Sequence, residues 1–284
     1  MYSLKNSFQF LRNNSPIRKI KNKLVSNQFL QTPITKSKII KNNPDLDIYV
    51  VAFNNAKLIE AQNYFLKKNL KDKFRLIIVD NSNDSNKSKE IENFCLDNQI
   101  SYIKLPKNKL YSSYSHWLSL NYIMKNIVNK QDTKYIWFLD HDCFLIKEIS
   151  IVKILEKQKL FWLIMDNIPF KIWWHILNFS GNRRIIRPWC AFYDKNLFDK
   201  WYDFFPNKRW IPISFLDTWW WNWKYIYKYY SKNSLDLLGL KEDTNIKWAE
   251  NLWNTFVHLW GAWYRSNNII NEMYKKLYNY YSWQ

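Results

Sequence analysis

The sequence predicts an α/β fold, a mostly parallel sheet flanked by helices, and three observations point there. Through the first half of the chain, short apolar runs rich in β-branched residues alternate with longer stretches of helical period. Each run closes on a polar loop, as buried parallel strands do. The 284 residues are 47% hydrophobic, which supplies a substantial core and excludes disorder, collagen and coiled coil as readings of the whole.

The elements follow in order. Pro33 and Pro44 punctuate a stretch rich in Lys, Asn and Ser, so residues 1–44 read as a basic N-terminal extension. Inside it Phe8, Phe10, Leu11, Ile17 and Ile20 stand among Arg18, Lys19, Lys21 and Lys23. That mixture suits either an unstructured arm or a peripheral contact with an anionic membrane. From Asp47 the texture changes. Asp47–Phe53 is a buried strand, and Ala56–Leu70 a helix with Leu58, Ile59, Ala61, Phe65 and Leu66 on its apolar side. Arg75–Val79 is a second strand stopping at Asp80 and the polar loop through Asp84. Lys89–Asn98 reads as a helix, Ser101–Leu105 as a strand, Tyr114–Val128 as a helix and Tyr135–Leu139 as a strand ending at Asp140.

Beyond Asp142 the pattern loosens. A helix is expected at Ile149–Glu156, strands at Leu160–Met165 and Pro188–Tyr193, and a helix at Asn196–Phe205. An aromatic helix is expected at Asp217–Tyr230, short strands at Leu235–Leu238 and Phe256–Leu259, and a Tyr- and Lys-bearing tail at Met273–Gln284. The domain is therefore placed at 45–265, with a regular half over 45–146, a less regular half over 147–265 and an aromatic, basic tail at 266–284.

Composition narrows the function. Forty-three Lys and Arg against 24 Asp and Glu leave a net charge of +19. Such a surface favours phosphate, nucleic acid or anionic lipid, although the abundance of Lys, Asn and Ile fits a compositional bias equally well. Glycine occurs three times, at Gly181, Gly239 and Gly261, which excludes the clustered glycines of dinucleotide and P-loop fingerprints. Cys95, Cys143 and Cys190 are odd in number and widely spaced, as in reduced intracellular thiols. The start lacks the apolar run of a secretory signal and no stretch reaches 18 apolar residues, so the expectation is a cytoplasmic protein, peripheral at most to the inner face of a membrane. The 17 Trp suit carbohydrate contact or a core.

The sharpest feature is Asp140-His141-Asp142. In extended chain residues i and i+2 point to one side, so the two carboxylates converge while His141 points away. Two carboxylates at a strand end make a hard oxygen site for Mn²⁺ or Mg²⁺, the ion an enzyme needs to hold and neutralise a diphosphate. Right-handed crossovers bring strand C-termini to one edge, where open α/β sheets bind ligands. Asp80 and Asp140 both close strands and are expected to face one crevice.

These residues carry a resemblance. IYVVAFNN at 48–55, LIIVDNSND at 76–84, SHWLSLNYIM at 115–124 and YIWFLDHDCFL at 135–145 resemble the nucleotide-sugar half of GT-A glycosyltransferases of the family 2 type. The resemblance implies a GT-A fold with an acceptor-side second half. It implies donor contacts from Asn54, Asp80, Ser82, His116 and Asp140, with Ser115 and Asn121 on the helix lining the donor pocket. It gives Asp140 and Asp142 the metal, and His258, in the segment Val257–Gly261, a third ligand position. Asp217 falls where the family carries its general base, in a setting that departs from the family's Glu-Asp pair. For Asp217 a helix N-cap is the plain alternative, and for His258 a structural histidine. Gly181, Arg183, Arg184 and Arg187 suit either a diphosphate clamp or a solvated loop. Of Trp219–Trp221, helical geometry lets one or two reach a single ligand.

The expected activity is metal-dependent transfer of a sugar from a nucleotide-sugar donor to a glycan or lipid-linked hydroxyl acceptor with inversion, and no specific nucleic-acid partner. The competing reading is a non-catalytic basic and aromatic module for glycans or single-stranded nucleic acid.

Overall fold

The structure, a computed structural model, describes residues 16–34, 36–107, 112–157, 160–165, 170–172, 175–177, 185–198, 240–242, 246–247, 249–252, 254–259 and 267–281. A helix α1 (Pro16–Gln31) leads into a short strand β1 (Lys36–Lys38). The regular half then runs β2 (Leu46–Ala52), α2 (Ala56–Asn69), β3 (Phe74–Asp80), α3 (Ser85–Asp97), β4 (Ser101–Lys104), α4 (Ser112–Asn126) and β5 (Tyr135–Asp140). After it come β6 (Cys143–Leu145), α5 (Ile151–Lys157), β7 (Leu160–Met165), β8 (Phe170–Ile172), β9 (His175–Leu177) and β10 (Ile185–Asp194). The chain continues through β11 (Leu240–Glu242), β12 (Ala249–Leu252), β13 (Phe256–Leu259) and α6 (Asn267–Tyr281).

Seven strands form the main sheet in the order β1-β4-β3-β2-β5-β10-β7. Strands β4, β3, β2 and β5 are mutually parallel, while β1 and β10 run against their neighbours. The chain starts this run at β2, moves outward through β3 and β4, then crosses back to lay β5 on the other side of β2. That reversal opens a crevice between the C-terminal ends of β2 and β5, the place where such sheets take ligands. A second, antiparallel sheet has the order β11-β12-β13-β6, and β6 follows β5 after one tight turn. The two sheets are thus joined at the turn that carries His141 and Asp142.

The pleat sorts the core. Ile48, Val50, Leu76, Ile78, Trp137 and Leu139 point to the face covered by α2, α3 and α5. Tyr49, Val51, Ile77, Val79, Ile136 and Phe138 point to the opposite face, under α4. Helix α2 serves two cores: Ile59 and Leu66 cover the main sheet, and Leu58, Ala61 and Phe65 meet Phe144, Val257 and Leu259 of the second sheet. Its start is fixed by Asn55, whose side chain accepts from Leu58 N at 3.3 Å, and α3 is capped by Asp84, which accepts from Asn86 N and Lys87 N. At the far edge Arg75 grips the buried Asp47 with two bonds of 2.8 Å.

Two segments expected outside the domain pack onto it. In the 1–44 segment Phe29 is buried against Tyr122 with ring centres 5.3 Å apart, and the Tyr122 hydroxyl donates to Thr32 O at 2.7 Å. Strand β1 then pairs with β4, placing Lys36 and Lys38 on the sheet edge, where charge discourages further strand addition. In the 266–284 segment α6 lays Ile270, Met273, Tyr274, Leu277 and Tyr281, a stripe at helical spacing, into the core of the second sheet. Of the helix expected at Asn196–Phe205, the described part is a single 3₁₀ turn over Lys195–Phe198. The expected elements at Asp217–Tyr230 and Leu235–Leu238 lie outside the described residues. None of the described helices is long and apolar enough to cross a membrane.

Candidate metal and donor site

The turn after β5 is where the chemistry gathers. The Cα of Asp140 pairs with Val51 of β2, which puts Asp140 on the α4 face of the sheet. There His116 of α4 meets it, Nε2 lying 3.4 Å from Asp140 Oδ1. His141 and Asp142 form a turn instead of continuing the strand. The two carboxylates converge as expected, but the turn, and not the alternation of an extended chain, brings them together. His141 points away into the sheet, its Nδ1 3.1 Å from Val51 O.

The third member arrives on β13. Leu259 N donates to Asp142 O at 2.8 Å, which seats β13 beside the turn and sets His258 Nε2 3.4 Å from Asp142 Oδ1. Asp140, Asp142 and His258 each offer one ligand atom, all within 4.8 Å of one another. Two donors each about 2.1 Å from one ion lie at most about 4.2 Å apart, so the cluster is close to that size. Asp142 and His258 are buried, whereas the Asp140 side chain is 29% exposed and leaves an open flank.

The electrostatics fit a buried cluster. Burial, joined by the neighbouring charge of Asp142, raises Asp140 above the ordinary carboxylate value against the pull of His116. Burial would raise Asp142 too, but the charge and hydrogen bond of His258 hold it below that value. For His258 burial acts downward and is outweighed by Asp142 and Glu250, which push the imidazole up to about 10.

Glu250 was not anticipated. It sits directly across from His258 in the β12–β13 pairing, with Oε2 3.2 Å from His258 Nδ1. Gln62 of α2 is the other surprise. Its carboxamide donates to Asp140 O at 2.8 Å and to Cys143 O at 2.9 Å. A polar residue on a helix that otherwise covers the core is the available signal for Gln62. Glu250 gives none without knowledge of strand register.

Asp80 requires a correction. Its partner in β2 is Ala52, one residue out of phase with the Val51–Asp140 pair, so the pleat turns Asp80 to the α3 face, opposite Asp140. The carboxylate is 0% exposed. Oδ1 accepts from Ser82 N at 2.8 Å, while Oδ2 accepts from Lys104 Nζ and Tyr102 OH at 2.8 Å and from Ser88 Oγ. With its oxygens so occupied Asp80 shapes the loop, and it does not face the side of the sheet on which Asp140 stands. Burial would raise it, but these donors hold it below the ordinary carboxylate value.

The loop itself rims the crevice. Asn54, at φ 52° in the left-handed region that Asn tolerates, donates its backbone N–H to Ser82 Oγ at 2.8 Å. Its carboxamide donates to Asn83 Oδ1 at 2.6 Å and accepts from Asp84 N at 3.2 Å. Asn81 ties the loop to α4 through Ser115 Oγ at 2.8 Å. Asn121 donates to Trp117 O within its own helix. The structure therefore brings Asn54 and Ser82 together on one rim, and Asp140, Asp142, His116 and His258 on the other. Asp217, Gly181, Arg183, Arg184, Trp173–Trp174 and Trp219–Trp221 lie outside the described residues, as does the side chain of Arg187.

No family model matches the sequence, and no curated protein matches it. Among solved structures, a mannosyltransferase from Pyrobaculum calidifontis in complex with GDP-Man and Mn²⁺ is similar at a TM-score of 0.37 and 10% identity, over 63% of this chain and 52% of that one. TarS from S. aureus in complex with UDP-GlcNAc is similar at 0.35 and 15%, over 54% of this chain and 46% of that one. The mannosyltransferase Ktr4p from S. cerevisiae is similar at 0.29 and 12%, over 53% and 49%. This chain spans about half the length of these three. The likenesses are slight, and the chemistry of the site is carried by its own residues.

Proposed function

We propose that the chain is a glycosyltransferase that moves a sugar from a nucleotide-sugar to a hydroxyl acceptor, glycan or lipid-linked, with the help of Mn²⁺ or Mg²⁺. The observation that carries this reading is the Asp140, Asp142 and His258 cluster beside the switch point of a parallel sheet. The residues fit a divalent ion: two hard carboxylate oxygens and one imidazole nitrogen, close together, with an open flank at Asp140. Such an ion neutralises a departing diphosphate.

The chain's own groups do the rest. Glu250 accepts from His258 Nδ1–H and thereby turns Nε2 to the side of the carboxylates, where an ion would take the place of its proton. His116 stands at the open flank, within reach of an anionic donor. Asn54, Ser82 and Asn83 form the rim against which a nucleoside rests, held in shape by Asp80. Asp217 takes the acceptor proton as general base, and a single displacement inverts the anomeric centre; both assignments follow from the sequence resemblance. The net charge of +19 suits an anionic donor, and the basic run from Arg18 to Lys23 suits an acceptor held at an anionic membrane. The binding-module alternative needs accessible aromatics, and the two Trp whose side chains are described, Trp117 and Trp137, are 1% and 0% exposed and do not serve it.

The test is a panel of nucleotide-sugars with and without Mn²⁺, read as thermal stabilisation and as sugar transfer. A true donor at 100 times its Kd stabilises the fold by about 2.7 kcal/mol. Asp142→Ala is expected to abolish both readouts while keeping a native circular dichroism spectrum. Full turnover by that variant, with unchanged metal dependence, overturns the proposal.

A further inference from the structure

We infer that Gln62 is the positioning residue of the metal-binding turn, an inference that rests on reading Asp140, Asp142 and His258 as cation ligands. Its carboxamide nitrogen carries two N–H groups, and both are used, one on Asp140 O at 2.8 Å and one on Cys143 O at 2.9 Å. Those carbonyls belong to the first and last residues of the segment Asp140-His141-Asp142-Cys143. One helix side chain thus fixes the distance between the two ends of the turn. The directions of the Asp140 and Asp142 carboxylates depend on that distance, because each side chain leaves a backbone whose path the clamp sets. His141 ties the same turn to β2 and Leu259 N ties it to β13, but each of those holds a single point.

Packing does not explain the choice of residue. Gln62 is 0% exposed on a helix whose neighbouring positions Leu58, Ile59, Phe65 and Leu66 are buried and apolar. A buried carboxamide is costly unless it is bonded, and Gln62 Oε1 finds no partner among the described residues. An apolar side chain fills that space with no such cost, so what Gln62 adds is its pair of donors. Asn69, two turns further along α2, supplies an internal control. It also donates to a carbonyl of the second sheet, Leu145 O at 2.7 Å, but at a point beyond the turn.

The experiment is Mn²⁺ binding by the full chain without nucleotide, followed by electron paramagnetic resonance of the free ion, alongside thermal melting. Gln62→Met keeps the length of the side chain and removes both donors; Mn²⁺ affinity is expected to fall about tenfold. Gln62→His keeps one N–H and is expected to fall between Gln62→Met and wild type. Asn69→Leu is expected to lower the melting temperature and leave Mn²⁺ affinity unchanged. Wild-type affinity in folded Gln62→Met, or in Gln62→His where the Met variant does not fold, overturns the inference. So does an equal loss of affinity in Asn69→Leu, which makes the clamp merely structural. Absence of Mn²⁺ binding by the wild-type chain is a different failure, that of the site itself.

Discussion

His258 and Glu250 face each other across paired antiparallel strands, Nδ1 lying 3.2 Å from Oε2, and this contact is what turns Nε2 toward Asp142. An imidazole that donates Nδ1–H to a carboxylate has a fixed ring orientation and, once its other proton is displaced, a more basic second nitrogen. The pairing also explains why a histidine is tolerated in a buried strand: both ring nitrogens find acidic partners.

Glu250→Gln keeps the shape of that contact and removes its charge. Mn²⁺ affinity is expected to drop about tenfold, since partners of this kind contribute 10–100-fold to metal binding. Calorimetric titration checks it, and wild-type affinity in the variant means that Glu250 serves the fold alone.

Asp80 yields a prediction about pH. Its folded-state pKa lies below the ordinary carboxylate value, so the stability it contributes is complete above about pH 4. That stability is lost as pH falls through the folded-state pKa. Asp80→Asn breaks the ion pair with Lys104 and takes the charge from the bonds that Tyr102 and Ser88 donate to it. It is expected to cost about 2–3 kcal/mol at neutral pH, the lower end for a buried pair because Lys104 is partly exposed and recovers water. Urea unfolding of both proteins from pH 7 to pH 2.5 checks it: the gap between them narrows at the acid end. A gap that stays constant means that the carboxylate charge is not what stabilises the loop.

Much of this was legible in the sequence, and the failures share a cause. The run Tyr135–Leu139 announces a buried strand, and an aspartate at its end announces the ligand edge, because both signals are local. His258 comes to attention only through the resemblance, by its place in the segment Val257–Gly261. The face to which a strand-end residue points is not local. Asp80 and Asp140 look equivalent in sequence, yet Asp80 pairs with Ala52 of β2 and Asp140 with Val51, one position earlier, and the pleat sends them to opposite faces. Glu250 escapes notice because its meaning lies in a cross-strand partner eight residues away, set by a turn in which Asn254 takes φ 55°. Gln62 escapes because helical periodicity sorts residues into apolar and polar sides and has no place for a buried polar clamp. The 1–44 segment was set apart by its composition, while Phe29, one aromatic among lysines and asparagines, decides where it packs.

Tyr274 buries a hydroxyl that has no partner among the described residues, on the face of α6 that meets Phe144 and Val257. Leaving such a group unpaired costs about 1–3 kcal/mol. Tyr274→Phe removes the group without opening a cavity, so the melting temperature is expected to stay level or rise. A fall of several degrees in differential scanning calorimetry reveals a bonded hydroxyl.

Phe29 decides whether the N-terminal segment belongs to the folded unit. Its ring is 4% exposed and packs edge-on against Tyr122, in the core that also holds Trp117 and Leu118 of α4. Truncating a buried Phe to Ala typically costs 3–5 kcal/mol, from lost transfer energy and from the cavity left behind. Here the site lies at the end of a helix whose next turn continues to exposed residues, and partial collapse brings the expected cost to about 3 kcal/mol. An appended arm behaves otherwise: Phe29→Ala then leaves the midpoint of urea unfolding where it was. The same substitution should expose the segment to limited proteolysis between Gln31 and Asn43 before the rest of the chain, because β1 loses the anchor that holds it against β4.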